Sequence, residues 1–158
     1  MYIDNLKEHN LIQGLLKRLP RVDPYVTLAI NVSPDYSSNV TMQIAHHLSE
    51  EGKMLDLFHL DVPYPGEKRD VYEYEFKRNS VTLPYKYDKI ILVEAAVLSG
   101  NNYTWIKEKL LDMGYENDDI ITVALLEMES SKFKCDFVGE YCKDMPEFYW
   151  ERYNKNWD

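Results

Sequence analysis

Residues 89–102, Lys-Ile-Ile-Leu-Val-Glu-Ala-Ala-Val-Leu-Ser-Gly-Asn-Asn, contain the strongest structural signal in the sequence. Lys89–Val93 is a short apolar run typical of a buried strand, and Ser99–Asn102 is a cluster of turn-forming residues. The next segment, Tyr103–Met113, has the pattern of a helix and ends before Gly114. This order of strand, turn and helix predicts one unit of a parallel α/β sheet.

The same order recurs elsewhere in the chain. The other predicted elements are an amphipathic helix at 5–19, a strand at 25–32, a loop at 33–38, a helix from Asn39, a strand near the sheet edge at 54–62 and a buried strand at 120–126. Together they favour one α/β domain over residues 1–158, with a mostly parallel, Rossmann-like sheet flanked by helices. Residues 63–87 interrupt the pattern with prolines and aromatics, and we expect a small hood or flap there.

Composition limits the classes of partner. The chain has 27 acidic and 18 basic residues and a net charge of −9, which opposes binding to duplex nucleic acid. The apolar runs are far shorter than the roughly 20 residues that span a bilayer, and the N-terminus lacks a secretory pattern, so we expect a cytoplasmic protein. Cys135 and Cys142 are predicted to be free thiols, and the four histidines do not form a metal-binding pattern.

The turn after the 89–93 strand is the best candidate for a binding site. Ligands of parallel sheets bind outside the carboxyl ends of the strands, and amides at a helix N-terminus bind phosphate well. An ordinary strand-to-helix turn with a Ser or Asn cap explains the same residues and stays an alternative. Glu127 and Glu129 would share one face of a continuing strand, either as a carboxylate pair or as a solvated edge.

The segment Ile90–Asn102 resembles the phosphoribosyl diphosphate signature of type I phosphoribosyltransferases, in which an apolar strand precedes two acids and a Thr-Gly-x-Thr loop. Glu94 matches the first acid, Ala95 replaces the second, and the loop positions are Ser99, Gly100 and Asn102. Two later segments add to the resemblance. Cys135-Asp-Phe-Val-Gly is similar to the Pro-Asp-Phe-Val-Gly of purine phosphoribosyltransferases, and residues 148–153 are similar to a Pro-Trp-Glu ending of some bacterial members.

The resemblance implies a role for each matching position. Glu94 would be the catalytic, ribose-binding acid, and the phosphate and ribose site would include Ser99, Gly100, Asn101, Asn102 and Tyr103. The pyrophosphate loop would include Ser33, Asp35, Ser37 and Ser38. Phe137 and Val138 would contact the base. Mg²⁺ would accompany a phosphoribosyl diphosphate ligand, and a homodimer is expected because family members often dimerise.

These observations lead to two hypotheses of function. The first is a divergent phosphoribosyltransferase-like protein that binds phosphoribosyl diphosphate or a nucleotide and, if active, transfers a phosphoribosyl or other glycosyl group to or from a base. The second is a catalytically inactive member of the fold that acts as a regulatory or protein-interaction module, because Ala95 removes a carboxylate from the motif. An unrelated α/β domain with the same order of elements is a third interpretation.

Overall fold

The computed structural model of this chain describes residues 1–50, 52–60 and 87–154. Their strands are β1 (Tyr2–Ile3), β2 (Thr27–Val32), β3 (Asp56–Leu60), β4 (Lys89–Val97), β5 (Ile120–Met128), β6 (Phe137–Cys142) and β7 (Glu147–Phe148). Their helices are α1 (Asn5–Leu16), α2 (Pro34–His47), α3 (Asn101–Asp112) and α4 (Tyr149–Asn154), with a 3-10 turn at Asn117–Asp119. The predicted flap lies outside the described residues except for its last residue, Tyr87, which is buried.

Five strands form one parallel sheet in the order β3-β2-β4-β5-β6. β4 lies at the centre, where Ile91 is opposite Ala29 of β2 and Ile121 of β5. The predicted parallel α/β sheet flanked by helices is confirmed, as is the edge position of the strand at 54–62, which is β3. β1 and β7 pair separately as a two-stranded parallel ribbon that joins the two ends of the described chain.

Helices cover both faces of the sheet because the strands are apolar on both faces. α1 and α2 pack on one face through residues such as Ile12 and Ile44, against Ile91 and Val93 of β4. α3 packs on the other face, where Ile106 is fully buried in a second apolar cluster. Each fully buried Ile or Leu contributes about 1.5–3 kcal/mol to the free energy of unfolding. The two clusters therefore hold the strands, and with them the carboxyl ends of the strands, in place.

α2 begins at Pro34, five residues before the predicted start at Asn39, so most of the predicted loop at 33–38 is helical. Ser33 is the N-cap residue with φ 54°, and Pro34 occupies the first helical position. Proline suits that position because its φ is already helical and its missing N–H would have had no partner. Turn-forming residues also favour helix starts, which is why the sequence pattern alone misplaced this boundary.

The two central strands are longer than predicted. β4 continues four residues past Val93, to Val97, and β5 continues to Met128. The tail contributes the edge strand β6 and the short elements β7 and α4, where Phe148 stacks on Trp150 with ring centroids 4.4 Å apart. In the described ranges, no helix combines the length and apolar composition that crossing a bilayer requires.

Candidate functional site

Glu94 is a buried acid in the central strand, on the face that α3 covers. Its Oε1 accepts a long hydrogen bond of 3.4 Å from Asn102 Nδ2, in the first turn of α3. Burial raises the pKa of Glu94 from 4.5 to about 8, and the Asn102 hydrogen bond opposes this shift only partly. Near pH 7 the side chain is therefore mostly a neutral carboxylic acid that can both donate and accept a hydrogen bond.

Gly100 is the N-cap residue of α3 and has φ 82°. A Cβ at this position would contact the Cβ of Phe133, and it would lie only 2.8 Å from both the Phe133 amide nitrogen and Ser131 Oγ. Glycine is required here by the backbone conformation and by the close approach of the β5–β6 connection. The Lys132 amide also donates to the Ser99 carbonyl (3.1 Å), so the two connections brace each other.

The first turn of α3 leaves backbone amides available. The amide of Asn101 lies 3.3 Å from Ser99 Oγ, whereas the amides of Asn102 and Tyr103 meet no acceptor in the described part of the chain. Amides at a helix N-terminus have no partner within the helix and carry the positive end of its dipole. This turn can therefore donate hydrogen bonds to an anion.

Tyr103 differs from the other predicted loop residues because its side chain is in the core. The side chain is fully buried, its hydroxyl donates to the Val123 carbonyl (2.6 Å), and its ring meets Phe133 edge-on at 5.4 Å. Burial and the neighbouring Glu94 raise the pKa of its phenol well above the usual value. Only its backbone amide remains for a ligand.

A cavity of about 310 Å³ opens beside this turn, among residues that follow the carboxyl ends of β4, β5 and β6. We call it the edge cavity, and it is lined by Leu98, Ser99, Asn101, Met128, Ser130, Lys132 and Met145. Its wall combines apolar side chains with hydroxyl, amide and cationic groups. A larger cleft of about 480 Å³ lies between residues 21–25 and Glu50, ahead of β2, at the edge where parallel sheets do not bind ligands.

Two of the four residues predicted for a pyrophosphate loop, Ser37 and Ser38, are engaged in internal contacts. Ser37 is fully buried and its Oγ accepts from the Ala95 amide (2.8 Å), while Ser38 Oγ accepts from Asn31 Nδ2 (3.0 Å). Asn31 also lies 2.9 Å from the Thr41 hydroxyl and 2.9 Å from His59 Nδ1. We call Asn31, Ser37, Ser38 and Thr41 the Asn31 network. Asn31 and Thr41 were not predicted from the sequence, because no local pattern distinguishes them from other polar residues.

Ala95 occupies the position of the second acid in the resemblance. Its side chain is buried on the face covered by α1 and α2, in one cluster with Val40 and Ile44. Successive strand residues point to opposite faces, so it lies across the sheet from Glu94. A carboxylate at position 95 would enter this apolar layer, at a high desolvation cost, instead of lying beside Glu94.

Phe137 and Val138, the predicted base contacts, lie away from the edge cavity. Phe137 begins β6, pairs with Val123 in the middle of β5 and packs against the core beneath α1. Val138 is buried in the cluster beneath α3. The apolar side chains that do line the edge cavity include Met128 and Met145. Met128 ends β5 and Met145 lies three residues after the end of β6, and this proximity to the carboxyl ends of the strands is the signal that could have identified them.

The acids of the β5–β6 region stabilise the fold. Glu127 is fully buried, with Oε2 accepting from the Cys135 amide (2.8 Å) and Oε1 lying 3.1 Å from Lys134 Nζ. Asp136 Oδ2 accepts from the amide and the hydroxyl of Thr122, at 2.8 and 3.0 Å. Burial and Glu127 raise the pKa of the Cys135 thiol, which favours its neutral form. Neither acid is available as a substitute for the missing carboxylate.

The donor set at this edge does not fit a Mg²⁺ ion held by the protein. Mg²⁺ prefers ionised carboxylates and phosphate oxygens, whereas Glu94 is buried with a pKa of about 8. The described ranges contain no cluster of three His, Cys, Asp or Glu side chains with metal-binding geometry.

Comparison with known proteins gives matches among solved structures. No family model matches the sequence, and no curated protein matches it. A purine phosphoribosyltransferase from Pyrococcus horikoshii superposes with TM-score 0.67 and 18% identity, over 95% of this chain and 92% of that one. The Helicobacter pylori xanthine-guanine-hypoxanthine phosphoribosyltransferase gives TM-score 0.66 and 17% identity, over 98% and 94%. The chain has the fold of type I phosphoribosyltransferases.

A structure with a bound nucleotide has the same fold. The hypoxanthine phosphoribosyltransferase of Trypanosoma cruzi, in complex with the product IMP, matches with TM-score 0.57 and 16% identity, over 85% of this chain and 77% of that one. The predicted phosphoribosyltransferase-like fold is therefore confirmed. In this fold, the Glu94–Asn102 contact and the edge cavity lie at the carboxyl ends of the strands, where parallel sheets bind ligands.

Proposed function

We propose that this protein binds a phosphorylated ribose, as a nucleotide or as phosphoribosyl diphosphate, at the edge cavity. The observation that carries the proposal is that a cavity walled by Lys132 and apolar side chains lies beside the first turn of α3, where the Asn102 and Tyr103 amides have no acceptor among the described residues. The phosphoribosyltransferase fold supports it, because the similar Trypanosoma cruzi enzyme is complexed with IMP.

Each part of the site has a role in this proposal. The amides of Asn102 and Tyr103 donate to the 5′-phosphate, and Lys132 adds a positive charge at the cavity wall. Met128 and Met145 offer polarisable apolar surface to a base. Glu94, linked to the loop by Asn102, is assigned to the ribose hydroxyls, with which a neutral carboxylic acid can exchange two hydrogen bonds.

A non-catalytic binding module is a second candidate, and the state of Glu94 favours it. Transfer of a phosphoribosyl group develops positive charge on the ribose, which an ionised carboxylate stabilises more than a neutral acid does. Glu94 has a pKa of about 8, and Ala95 lies across the sheet. An assay of pyrophosphate release from phosphoribosyl diphosphate, with purine bases as acceptors, distinguishes the two candidates. Ligand binding without pyrophosphate release supports the non-catalytic module.

Calorimetric titration with nucleoside 5′-monophosphates and phosphoribosyl diphosphate, with and without Mg²⁺, tests the proposed site. The Lys132→Ala variant should weaken binding of phosphorylated ligands about tenfold or more, because a charge-assisted hydrogen bond contributes about 1.5–3 kcal/mol and about 1.4 kcal/mol is tenfold in affinity. Affinity for an unphosphorylated nucleoside should stay unchanged. Lys17→Ala, which removes another exposed lysine at the C-terminal end of α1, is the matched control. Equal loss with both variants, or no binding by any ligand, contradicts the proposal.

The remaining expectations stay predictions of the same proposal. Mg²⁺ would be bound mainly through the phosphates of the ligand, since the protein offers it a poor donor set. A cytoplasmic location and a homodimer are consistent with the sequence. The oligomeric state is measured by analytical ultracentrifugation.

A further inference from the structure

A phosphoribosyl diphosphate ligand has two anionic groups, and each needs its own binding loop. The 5′-phosphate is assigned above to the start of α3, after β4. The pyrophosphate would occupy the connection between β2 and α2, by the resemblance of the sequence. The two connections lie after neighbouring strands, at the same edge of the sheet. Their hydrogen bonds therefore show which anions the protein can hold.

The backbone of the β2–α2 connection has almost no free amide. The Ser33 amide donates to the Leu60 carbonyl of β3 at 3.0 Å. Pro34 has no N–H, and the amides of Tyr36 and Ser37 donate to the Ser33 carbonyl at 3.0 and 3.1 Å. Among positions 33–37, Asp35 is the one residue whose amide has no acceptor in the described part of the chain. A phosphate-binding loop needs several free amides that converge on one point, and this loop cannot provide them.

The side chains of this connection also disfavour an anion. Ser37 is fully buried, so its hydroxyl does not reach a ligand, and Ser37 Oγ and Ser38 Oγ accept hydrogen bonds from the Ala95 amide and the Asn31 side chain. Asp35 is exposed in the first turn of α2, where its carboxylate already interacts with the positive end of the helix dipole. A pyrophosphate at this place would meet the like charge of Asp35.

The β4–α3 connection has the opposite character. It keeps the amides of Asn102 and Tyr103 free within the described chain, and Lys132 lies in the wall of the adjacent cavity. The same cavity has Met128 and Met145 in its wall, so it suits a ligand with an apolar ring beside its phosphate.

We infer that the ligand of this site is a nucleoside 5′-monophosphate, and that the protein gains no affinity from a pyrophosphate on the ribose. This inference rests on the proposed function, because it names the substrate class of the same cavity. It assigns the phosphate to the start of α3 and the base to the edge cavity. The β2–α2 connection then has a structural role and binds no part of the ligand.

Titration calorimetry of the full chain tests the inference with four probes: IMP, GMP, ribose 5-phosphate and phosphoribosyl diphosphate, each with Mg²⁺ and with EDTA. We expect the better of the two nucleotides to bind about tenfold tighter than ribose 5-phosphate, because only nucleotides reach the apolar wall. Phosphoribosyl diphosphate should bind no tighter than ribose 5-phosphate. Phosphoribosyl diphosphate binding that exceeds both nucleotides, or exceeds ribose 5-phosphate about tenfold, overturns the inference but leaves the proposed site intact.

Asp35→Asn gives a second, independent measurement on a folded variant. Removing this charge should strengthen phosphoribosyl diphosphate binding about threefold to tenfold and leave nucleotide binding within about twofold. Asp112→Asn, which removes the same charge at the far end of α3, should change neither affinity. Weaker phosphoribosyl diphosphate binding by Asp35→Asn would show that the β2–α2 connection is a working pyrophosphate site. If none of the four ligands binds, the proposed function itself is refuted.

Discussion

The β2–α2 and β4–α3 connections have the same topology but opposite chemistry. Each follows a buried strand at the same edge of the sheet, and each begins a helix at a residue with positive φ, Ser33 or Gly100. The first connection uses most of its amides internally, whereas the second leaves two amides without an acceptor among the described residues, beside a cavity. The comparison teaches that a helix N-terminus becomes an anion site only when its donors have no other partner.

The two connections are also held by different forces. The β4–α3 connection is held by steric fit, since Gly100 contacts Phe133 of the neighbouring connection. The β2–α2 connection is held by buried hydrogen bonds from the Asn31 network. Substitutions that break one kind of support and leave the other intact can test this difference.

Gly100→Ala should have the largest effect, a loss of about 3 kcal/mol in the free energy of unfolding. A Cβ would add strain at positive φ to a clash with the Phe133 backbone, and the two penalties combine. Urea unfolding measures the loss. Gly114→Ala is the matched control, because Gly114 has φ 97° but open space around it, so it should lose only about 1 kcal/mol. Equal losses would show that packing against Phe133 contributes nothing.

Asn31→Ala should reduce the free energy of unfolding by about 2–3 kcal/mol. The substitution removes the hydrogen bonds of a buried side chain to Ser38, Thr41 and His59, each of which contributes about 0.5–1.5 kcal/mol. Gln43→Ala removes an exposed hydrogen bond to Asn39 on the same helix and should cost below about 0.5 kcal/mol. A small effect of Asn31→Ala would mean that α2 is positioned by apolar packing alone.

Glu94→Gln should raise the free energy of unfolding by about 1–3 kcal/mol at pH 9 and leave it unchanged at pH 4. The folded pKa of Glu94, about 8, exceeds its usual value of 4.5, so the folded state binds the proton more tightly than the unfolded state does. The contribution of protonated Glu94 to the free energy of unfolding is fully present below pH 4.5 and is lost as the pH rises through 8. Glutamine imitates the neutral acid at every pH.

Denaturant titrations of both proteins between pH 4 and pH 9 measure this difference. Glu108→Gln, on the exposed side of α3, is the control for the general effect of removing a carboxylate. A difference between Glu94→Gln and the original protein that does not grow with pH would contradict the burial of Glu94 as an ionisable group.

Ser33→Gly should have the smallest effect, a gain of about 0.5–1 kcal/mol. Glycine adopts positive φ without the steric penalty that a Cβ brings, although it loses more entropy on folding. Ser33→Ala keeps the penalty and serves as the comparison. If both variants lose stability equally in thermal unfolding, the Ser33 hydroxyl has a role in the β2–α2 connection beyond its backbone conformation.

Local sequence patterns predicted the elements whose formation depends on residues that are close together in the sequence. The apolar run 89–93, the turn glycine Gly100 and the stop at Gly114 identified β4, the connection and α3 within a few residues. The start of α2 was misplaced because Ser, Pro and Asp favour both loops and helix starts. The chosen base contact Phe137 lies within the sheet, because a short motif does not specify how far a strand extends.

The sequence by itself determined the type of fold, because apolar runs, helical periodicity and turn residues act over short distances along the chain. Only the tertiary structure decided which donors remain free for a ligand. The Ser37–Ala95 hydrogen bond joins residues 58 positions apart, and Gly100 meets Phe133 across two connections. The Ser33 amide of the β2–α2 connection likewise donates to Leu60 of β3, a partner that only the assembled sheet supplies. Folding brings such distant residues together, and the chemistry of the site therefore emerges only when the sheet is assembled.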